Sequence, residues 1–154
     1  MMNTPNILNV QIRDVVLGKG VTIVKPANLY ECAIGDDTFI GPFVEIQKGV
    51  KIGRRCRIQS HSFICEMVTI GDDCFVAHGV MFINDLFSEG EPAYGKRNLW
   101  LPTTIGDNVS IGTNATILPV KIASNTIIGA GAVVTRDILT PGVYVGNPAG
   151  VLPK

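Results

Sequence analysis

Apolar residues recur in this chain at intervals of six: Ile34, Ile40, Ile46, Ile52, Ile58, Ile64, Ile70, Val76 and Phe82 follow one another without a slip. Two positions ahead of them stand small or β-branched residues, among them Thr38, Val44, Val50, Cys56, Ser62, Val68, Cys74 and Val80. Helices repeat every ~3.6 residues and ordinary strands every two, so neither accounts for a beat of six. It is the period of a solenoid in which each hexad supplies one short strand and one corner. Three hexads close a triangular turn, and Gly35-Asp36-Asp37, Gly53-Arg54-Arg55 and Gly71-Asp72-Asp73 mark that longer repeat, which Gly106-Asp107-Asn108 resumes. Glycine accepts tight-corner geometry, and Asp or Asn can bond its own turn backbone. The pattern predicts an all-β parallel β-helix whose inward residues stack one strand spacing apart, roughly 4.8 Å. The period leaves handedness open.

The beat breaks in three places. Between Phe82 and Ile105 lies a polar stretch, residues 84–103, that contains Trp100, the single tryptophan. The hexads then restart in phase at Ile105, Ile111 and Ile117, so this is a loop thrown out from one corner and not a domain boundary. Long loops on rigid scaffolds commonly carry function, although padding of a subunit interface is the plainer alternative. One residue is missing between Ile117 and Ile122, which tightens a corner and is expected to present Lys121 on it. The tail, residues 139–154, leaves the pattern and can cap the open end of the solenoid, border a ligand site, or do both.

Composition narrows the partners. The 154 residues make one domain, 1–154, and 13 basic against 13 acidic side chains give no polyanion-binding surface, so nucleic acid is not expected. No long apolar run and no basic-then-apolar leader over Met1 to Asn6 point to a cytoplasmic protein without membrane contact. Cys32, Cys56 and Cys74 fall at small inward positions and are expected to be buried, reduced thiols. Without a Cys-x-x-Cys pair, no structural metal is expected. Phe39, Phe43, Phe63 and Phe75 are outward on flat walls, which suggests burial against sister subunits in a closed cyclic assembly.

The hexads, the loop after Phe82 and the ending Gly146-Asn147-Pro148-Ala149 together resemble the left-handed β-helix acyltransferases over nearly the whole chain. The stretch Gly79-Val80-Met81-Phe82-Ile83-Asn84-Asp85-Leu86-Phe87 is similar to the N-acetyltransferases of nucleotide-linked amino sugars. Ser110 to Pro119 and Ile128-Gly129-Ala130-Gly131-Ala132-Val133-Val134 fit the same group, closest to enzymes acting on dTDP-linked 3-amino-3,6-dideoxyhexoses for O-antigen or S-layer glycans. The resemblance implies a left-handed helix, a homotrimer with its sites between subunits, and acetyl-CoA lying along the groove. It assigns Gly112 and Ala130, on equivalent corners, to the pantetheine arm, and Lys121 or Arg136 to the CoA phosphates. Corner packing and plain solvation are the respective alternatives.

The chemistry then turns on the acceptor. A hydroxyl needs a strong general base, whereas a sugar amine with a pKa of roughly 8 is substantially neutral near physiological pH. Hexapeptide sugar O-acetyltransferases commonly place a histidine just after the coil that precedes the loop, and here that stretch reads Ile83-Asn84-Asp85-Leu86. Its absence favours an amine. Asn84 is suited to hold that amine through its side-chain carbonyl, and Asp85 can take a proton or anchor the loop; turn chemistry accounts for either otherwise. The only histidines, His61 and His78, share one corner of adjacent coils. His78 is the leading base candidate, His61 a neighbour or sugar contact, and outward Glu45 a further substrate contact. A three-histidine zinc site of the carbonic anhydrase type on the same fold cannot be completed with two histidines. A hydroxyl acceptor, another UDP-amino sugar and a non-catalytic trimeric scaffold are the remaining alternatives.

Overall fold

A computed structural model describes residues 9–153. The Met1–Asn6 stretch, with its expected lack of a leader, and Lys154 lie outside them. The chain winds as a parallel β-solenoid of about seven turns whose strands form three faces of 7, 6 and 8 strands. The first face contains Ile12–Arg13, Asn28–Tyr30, Glu45–Ile46, Phe63–Ile64, Met81–Phe82, Thr116–Ile117 and Val133–Val134. The second runs from Val16–Leu17 through Ala33–Ile34, Lys51–Ile52, Val68–Ile70 and Thr103–Ile105 to Lys121–Ile122. The third runs from Thr22–Ile23 through Phe39–Ile40, Arg57–Ile58, Phe75–Val76, Ser110–Ile111 and Ile127–Ile128 to the tail. Among the described residues no helix is long and apolar enough to cross a membrane.

Most strands are two residues long because each hexad offers one inward and one outward position before the next corner. The inward register is the hexad beat itself: Ile34 stacks on Ile52, Ile40 on Ile58 and Ile46 on Ile64. Burial is complete in the middle of the columns and falls off at the first coil, where Leu17 is 47% exposed; Phe82, the largest fully buried side chain, closes the coil from which the loop departs. Burying one such side chain stabilises by roughly 1.5–3 kcal/mol. The small positions two residues earlier have their own reason. Thr38 Oγ1 donates to the carbonyl of Gly53 (2.9 Å), and the Sγ of Cys56 and of Cys74 donate to Gly71 and Gly106 (both 3.1 Å), tying each coil to the next. The four cysteines are buried and free, and burial pushes Cys32 up to about 11 and Cys65 up to about 12, so neither is a thiolate at neutral pH.

Three corners join the faces. The second-to-third corner is a ladder. Main-chain N–H groups of Lys19, Arg54 and Asp72 donate to Oδ1 of Asp36, Asp72 and Asp107 in the coil above (2.7–2.8 Å). Arg55 Nε and Nη2 grip both carboxylate oxygens of Asp73 at 2.7 Å. The hydrogen-bonding guanidinium side chains of Arg54 and Arg55 hold Asp72 and Asp73 below their usual range. A carboxyl whose folded value is depressed adds stability above its unfolded pKa of about 3.9 and loses it as pH falls through the folded value, so this ladder fades only in acid.

The tail, off the hexad pattern, pairs with the last coil: Val143–Val145 lies beside Ile127–Ile128 and extends the third face, and Gly150–Val151 folds back antiparallel on it. Two expectations change here. Thr103 is buried and begins the strand Thr103–Ile105, so the loop ends at Pro102 and not at residue 103. Lys121 is not on the tightened corner; that corner is Leu118-Pro119-Val120, and Lys121 opens a strand with its N–H on Asp137 Oδ1 (2.8 Å).

The close stacking predicts a contrast between glycines. A Cβ on Gly53 would stand 2.5 Å from the backbone of Gly71, whereas one on Gly49 (φ +76°) meets open space. Gly53→Ala is expected to cost about 3 kcal/mol by overpacking, and Gly49→Ala about 1–2 kcal/mol for the left-handed backbone alone. Chemical denaturation of the two variants checks the order.

Candidate active site

The sequence-predicted residues fall on two edges of one wall. The first-to-second corner, here the loop corner, carries Asn84, Asp85 and Arg136; the third-to-first corner, the histidine corner, carries His61, His78, Gly112 and Ala130. Glu45 stands on the first face between them.

At the loop corner the chain leaves the solenoid after Ile83, whose N–H still completes the ladder on Ile117 O (2.9 Å). Leu101 N–H donates to Asn84 O (2.9 Å), so the two ends of the loop meet and the coils resume undisturbed. Asp85 is the internal anchor: its Oδ1 accepts from Phe87 N–H (2.9 Å) and its Oδ2 from Ala93 N–H (2.7 Å). Both oxygens are used in this way, so of the two roles open to Asp85 the geometry supports the anchor. Asn84 differs. Its Nδ2 donates to the carbonyl of Glu66 (3.2 Å) in the coil below, which fixes the amide and assigns Oδ1 as the acceptor end.

The same corner brings Glu45 into a polar chain that the hexad pattern did not single out. Gln47 Nε2 donates to Glu45 Oε1 (2.9 Å), and Gln47 Oε1 accepts from Glu66 N–H (3.3 Å). Arg97, from the short 3-10 turn Arg97–Leu99 inside the loop, sets Nη1 2.9 Å from Glu66 Oε2. Tyr30 belongs to the group as well: burial first, then the Glu45 and Glu66 carboxylates, push its phenol above the ordinary value, and Arg13 lies 4.4 Å over its ring. Glu66 and Gln47 occupy the equivalent corner of preceding coils. That register was readable, but no residue-type motif marked it.

The histidine corner is a stacked ridge. His78 Nδ1 shares a 2.8 Å hydrogen bond with Ser60 Oγ one coil below. His61 instead stacks on Phe43 (centroids 4.9 Å apart, planes at 28°), so the two histidines are neighbours in the ridge with separate partners. Phe43 is consequently not a flat-wall residue. It occupies a corner at φ +60°, and His61 sits above it at φ +64°, in positions where later coils place Gly79, Asn114 and Gly131. Two bulky rings in left-handed backbone are unusual and are held by their surroundings. Of the other outward phenylalanines, Phe39 lies on the third face under the guanidinium of Arg57 (4.7 Å).

The two residues assigned to the pantetheine arm separate on inspection. A Cβ on Gly112 would approach Ala130 N to 2.4 Å, so this glycine is required by coil stacking and its missing side chain does not open a surface. Gly131, next to Ala130, has open space where a Cβ would be. The exposed low stretch of the ridge is therefore Ala130-Gly131, which fits a slender chain lying against backbone. Lys121 and Arg136 are exposed near the opposite edge, away from that ridge.

Comparison with known proteins agrees with this architecture. Residues 31–66 match the bacterial transferase hexapeptide (six repeats), and residues 102–136 match the hexapeptide repeat of succinyl-transferase. The bifunctional protein GlmU of Clostridium botulinum (strain Kyoto / Type A2) is 33% identical over 139 residues, covering 84% of this chain; the match spans 30% of that protein. Among solved structures, a variant of AntD, an N-acyltransferase from Bacillus cereus in complex with dTDP and coenzyme A, superimposes with a TM-score of 0.77 at 22% identity, covering 92% of this chain and 84% of that one. A maltose O-acetyltransferase from Clostridium difficile 630 is 28% identical with a TM-score of 0.57, covering 93% and 70%.

The anchoring of the loop gives a direct test. Asp85→Ala removes the acceptor of two main-chain N–H groups, so trypsin is expected to cut after Lys96 or Arg97 about tenfold faster while the thermal midpoint of the solenoid stays put. Unchanged cleavage would show that Asp85 does not hold the loop.

Proposed function

We propose that this solenoid, whose repeats match bacterial transferase hexapeptide models, is an acetyl-CoA-dependent N-acetyltransferase formed by residues 1–154 as one catalytic domain. The acceptor is the amino group of a nucleotide-linked amino sugar, with a dTDP-3-amino-3,6-dideoxyhexose as first choice, made for surface glycans such as O-antigen or S-layer. The observation that carries this reading is Asn84. It stands in the stretch where resemblance to the sugar O-acetyltransferases would imply a histidine, and its amide is fixed by Glu66 so that Oδ1 can accept a hydrogen bond from an amine. The likeness to an N-acyltransferase holding dTDP and coenzyme A supports the choice of co-substrate and nucleotide.

The neutral amine attacks the thioester carbonyl, the C–S bond breaks, CoA leaves as the thiol, and the amine loses one proton. Asn84 orients the nitrogen, and orientation accounts for much of the rate when the nucleophile needs little activation. In a cytoplasmic homotrimer the histidine corner of one subunit meets the loop corner of the next, which brings His78 towards the amine as proton acceptor and leaves His61 and Glu45 to contact the sugar nucleotide. The pantetheine arm follows Ala130-Gly131 of one subunit, with Lys121 and Arg136 at the facing edge of the next available to the CoA phosphates. The exposed Phe75 and Met81 on the third and first faces are the surfaces such an assembly would cover.

The likeness to a maltose O-acetyltransferase keeps a hydroxyl acceptor as the second reading. Thiol release from acetyl-CoA with a panel of nucleotide amino sugars and neutral sugars separates the two, and no release with either class removes both. Asn84→Ala is expected to lower the rate on the preferred amine at least tenfold, about 1.4 kcal/mol, with unfolding unchanged; wild-type kinetics would take Asn84 out of the site. His78→Ala is expected to slow the reaction about tenfold or more. If instead its rate follows only the free amine across pH, no histidine base operates.

A further inference from the structure

We propose that Glu66 is a positioning residue for Asn84 and that its ion pair with Arg97 is the latch holding the loop of residues 84–102 over the loop corner. The positioning role rests on the reading of Asn84 as the group that holds the acceptor.

Glu66 occupies the corner directly below the one from which the loop departs, and three of its groups are engaged by three different parts of the chain. Its N–H reaches Gln47 Oε1 (3.3 Å), its carbonyl accepts from Asn84 Nδ2 (3.2 Å), and its carboxylate meets Arg97 Nη1 (2.9 Å). The carboxylate is the unusual member. Its side chain is 15% exposed, and Oε2 is covered without a well-directed hydrogen bond. A charged oxygen removed from water needs a compensating charge, and the Arg97 guanidinium, itself half exposed, is the cation within reach. The ion pair is therefore stronger than an open surface pair, and it spans from the solenoid wall to the loop.

Three fastenings hold the loop, and they divide it. Leu101 N–H on Asn84 O closes the neck, Asp85 organises residues 85–93, and Arg97 on Glu66 ties the far half to the wall. The last fastening and the Asn84 amide share one residue. Any shift of Glu66 that follows loss of Arg97 moves the carbonyl that fixes Asn84, so loop closure and amide orientation are coupled through a single corner.

The test compares Glu66→Gln, Arg97→Gln and the double variant in the full chain. Gln keeps the size of Glu66, and Arg97 is exposed enough that its loss leaves folding intact, so a thermal midpoint equal to wild type is expected throughout. Hydrogen exchange at the Lys96, Leu99 and Trp100 amides, in the half of the loop that the ion pair ties down, is expected to quicken about fivefold in each single variant. The kcat on the preferred amine should fall about fivefold or more while the KM for acetyl-CoA holds, and the double variant should be no worse than either single one. Wild-type exchange in both single variants overturns the latch. Faster exchange with unchanged kcat overturns the positioning role alone, as do kcat losses that add in the double variant. If the unsubstituted protein transfers no acetyl group to any acceptor, the positioning role falls with the functional reading, while the exchange measurement still decides the latch.

Discussion

Backbone hydrogen bonds between residues about one coil apart are the constraint on which everything else in this molecule hangs. Gly35 N–H on Ile52 O, Gly53 on Ile70 and Gly71 on Ile105 set each coil directly on the next at 2.8–2.9 Å. Coils that close leave no room for a side chain between them, so corner glycines, inward isoleucines and small hydroxyl or thiol residues are all consequences of one spacing. Polar groups that face the adjacent coil mostly find their partner there, and Thr126 Oγ1, buried without one, is the exception among the inward hydroxyls. The Asp36, Asp72 and Asp107 carboxylates do so by accepting main-chain N–H groups, and Thr38, Cys56 and Cys74 do so by donating to carbonyls.

This rigidity is what makes the candidate site specific. A wall with fixed register aligns equivalent corner positions above one another, so Gln47, Glu66 and Asn84 form a vertical polar chain although they lie far apart in sequence. The opposite edge aligns Phe43, Ser60, His61 and His78 in the same way. Acid and amide groups gather at one edge and aromatic and imidazole groups at the other, and the apolar-to-polar surface between them belongs to a single sheet. Cyclic packing of identical walls is the arrangement in which two such edges from different subunits face one another.

Much of this was legible in the chain because the period is a geometric statement. Nine in-phase apolar residues locate inward positions, and the first interruption locates Asn84. What the period does not carry is direction at the corners. Gly112 looked like an opening for a ligand, yet the coil above fills the space where its side chain would go. Phe43 reads as an outward wall residue by count, but the left-handed corner turns its ring onto His61. The missing residue after Ile117 shortens the turn, and the turn absorbs the deletion before Lys121, which opens a strand. Glu66 was invisible for a different reason: its importance comes from Arg97, thirty-one positions later along the chain, which reaches it only through the folded loop.

The meeting of Leu101 with Asn84 separates the loop from the body in a thermodynamic sense. Since both ends are pinned at adjacent points of one corner, lengthening the segment adds only the slow, logarithmic entropy of a larger closed ring, about 0.6 kcal/mol per doubling. The solenoid below need not adjust its register at all. Such a segment behaves as an exchangeable cassette: its contents can be rewritten while the measuring rod beneath it stays the same length.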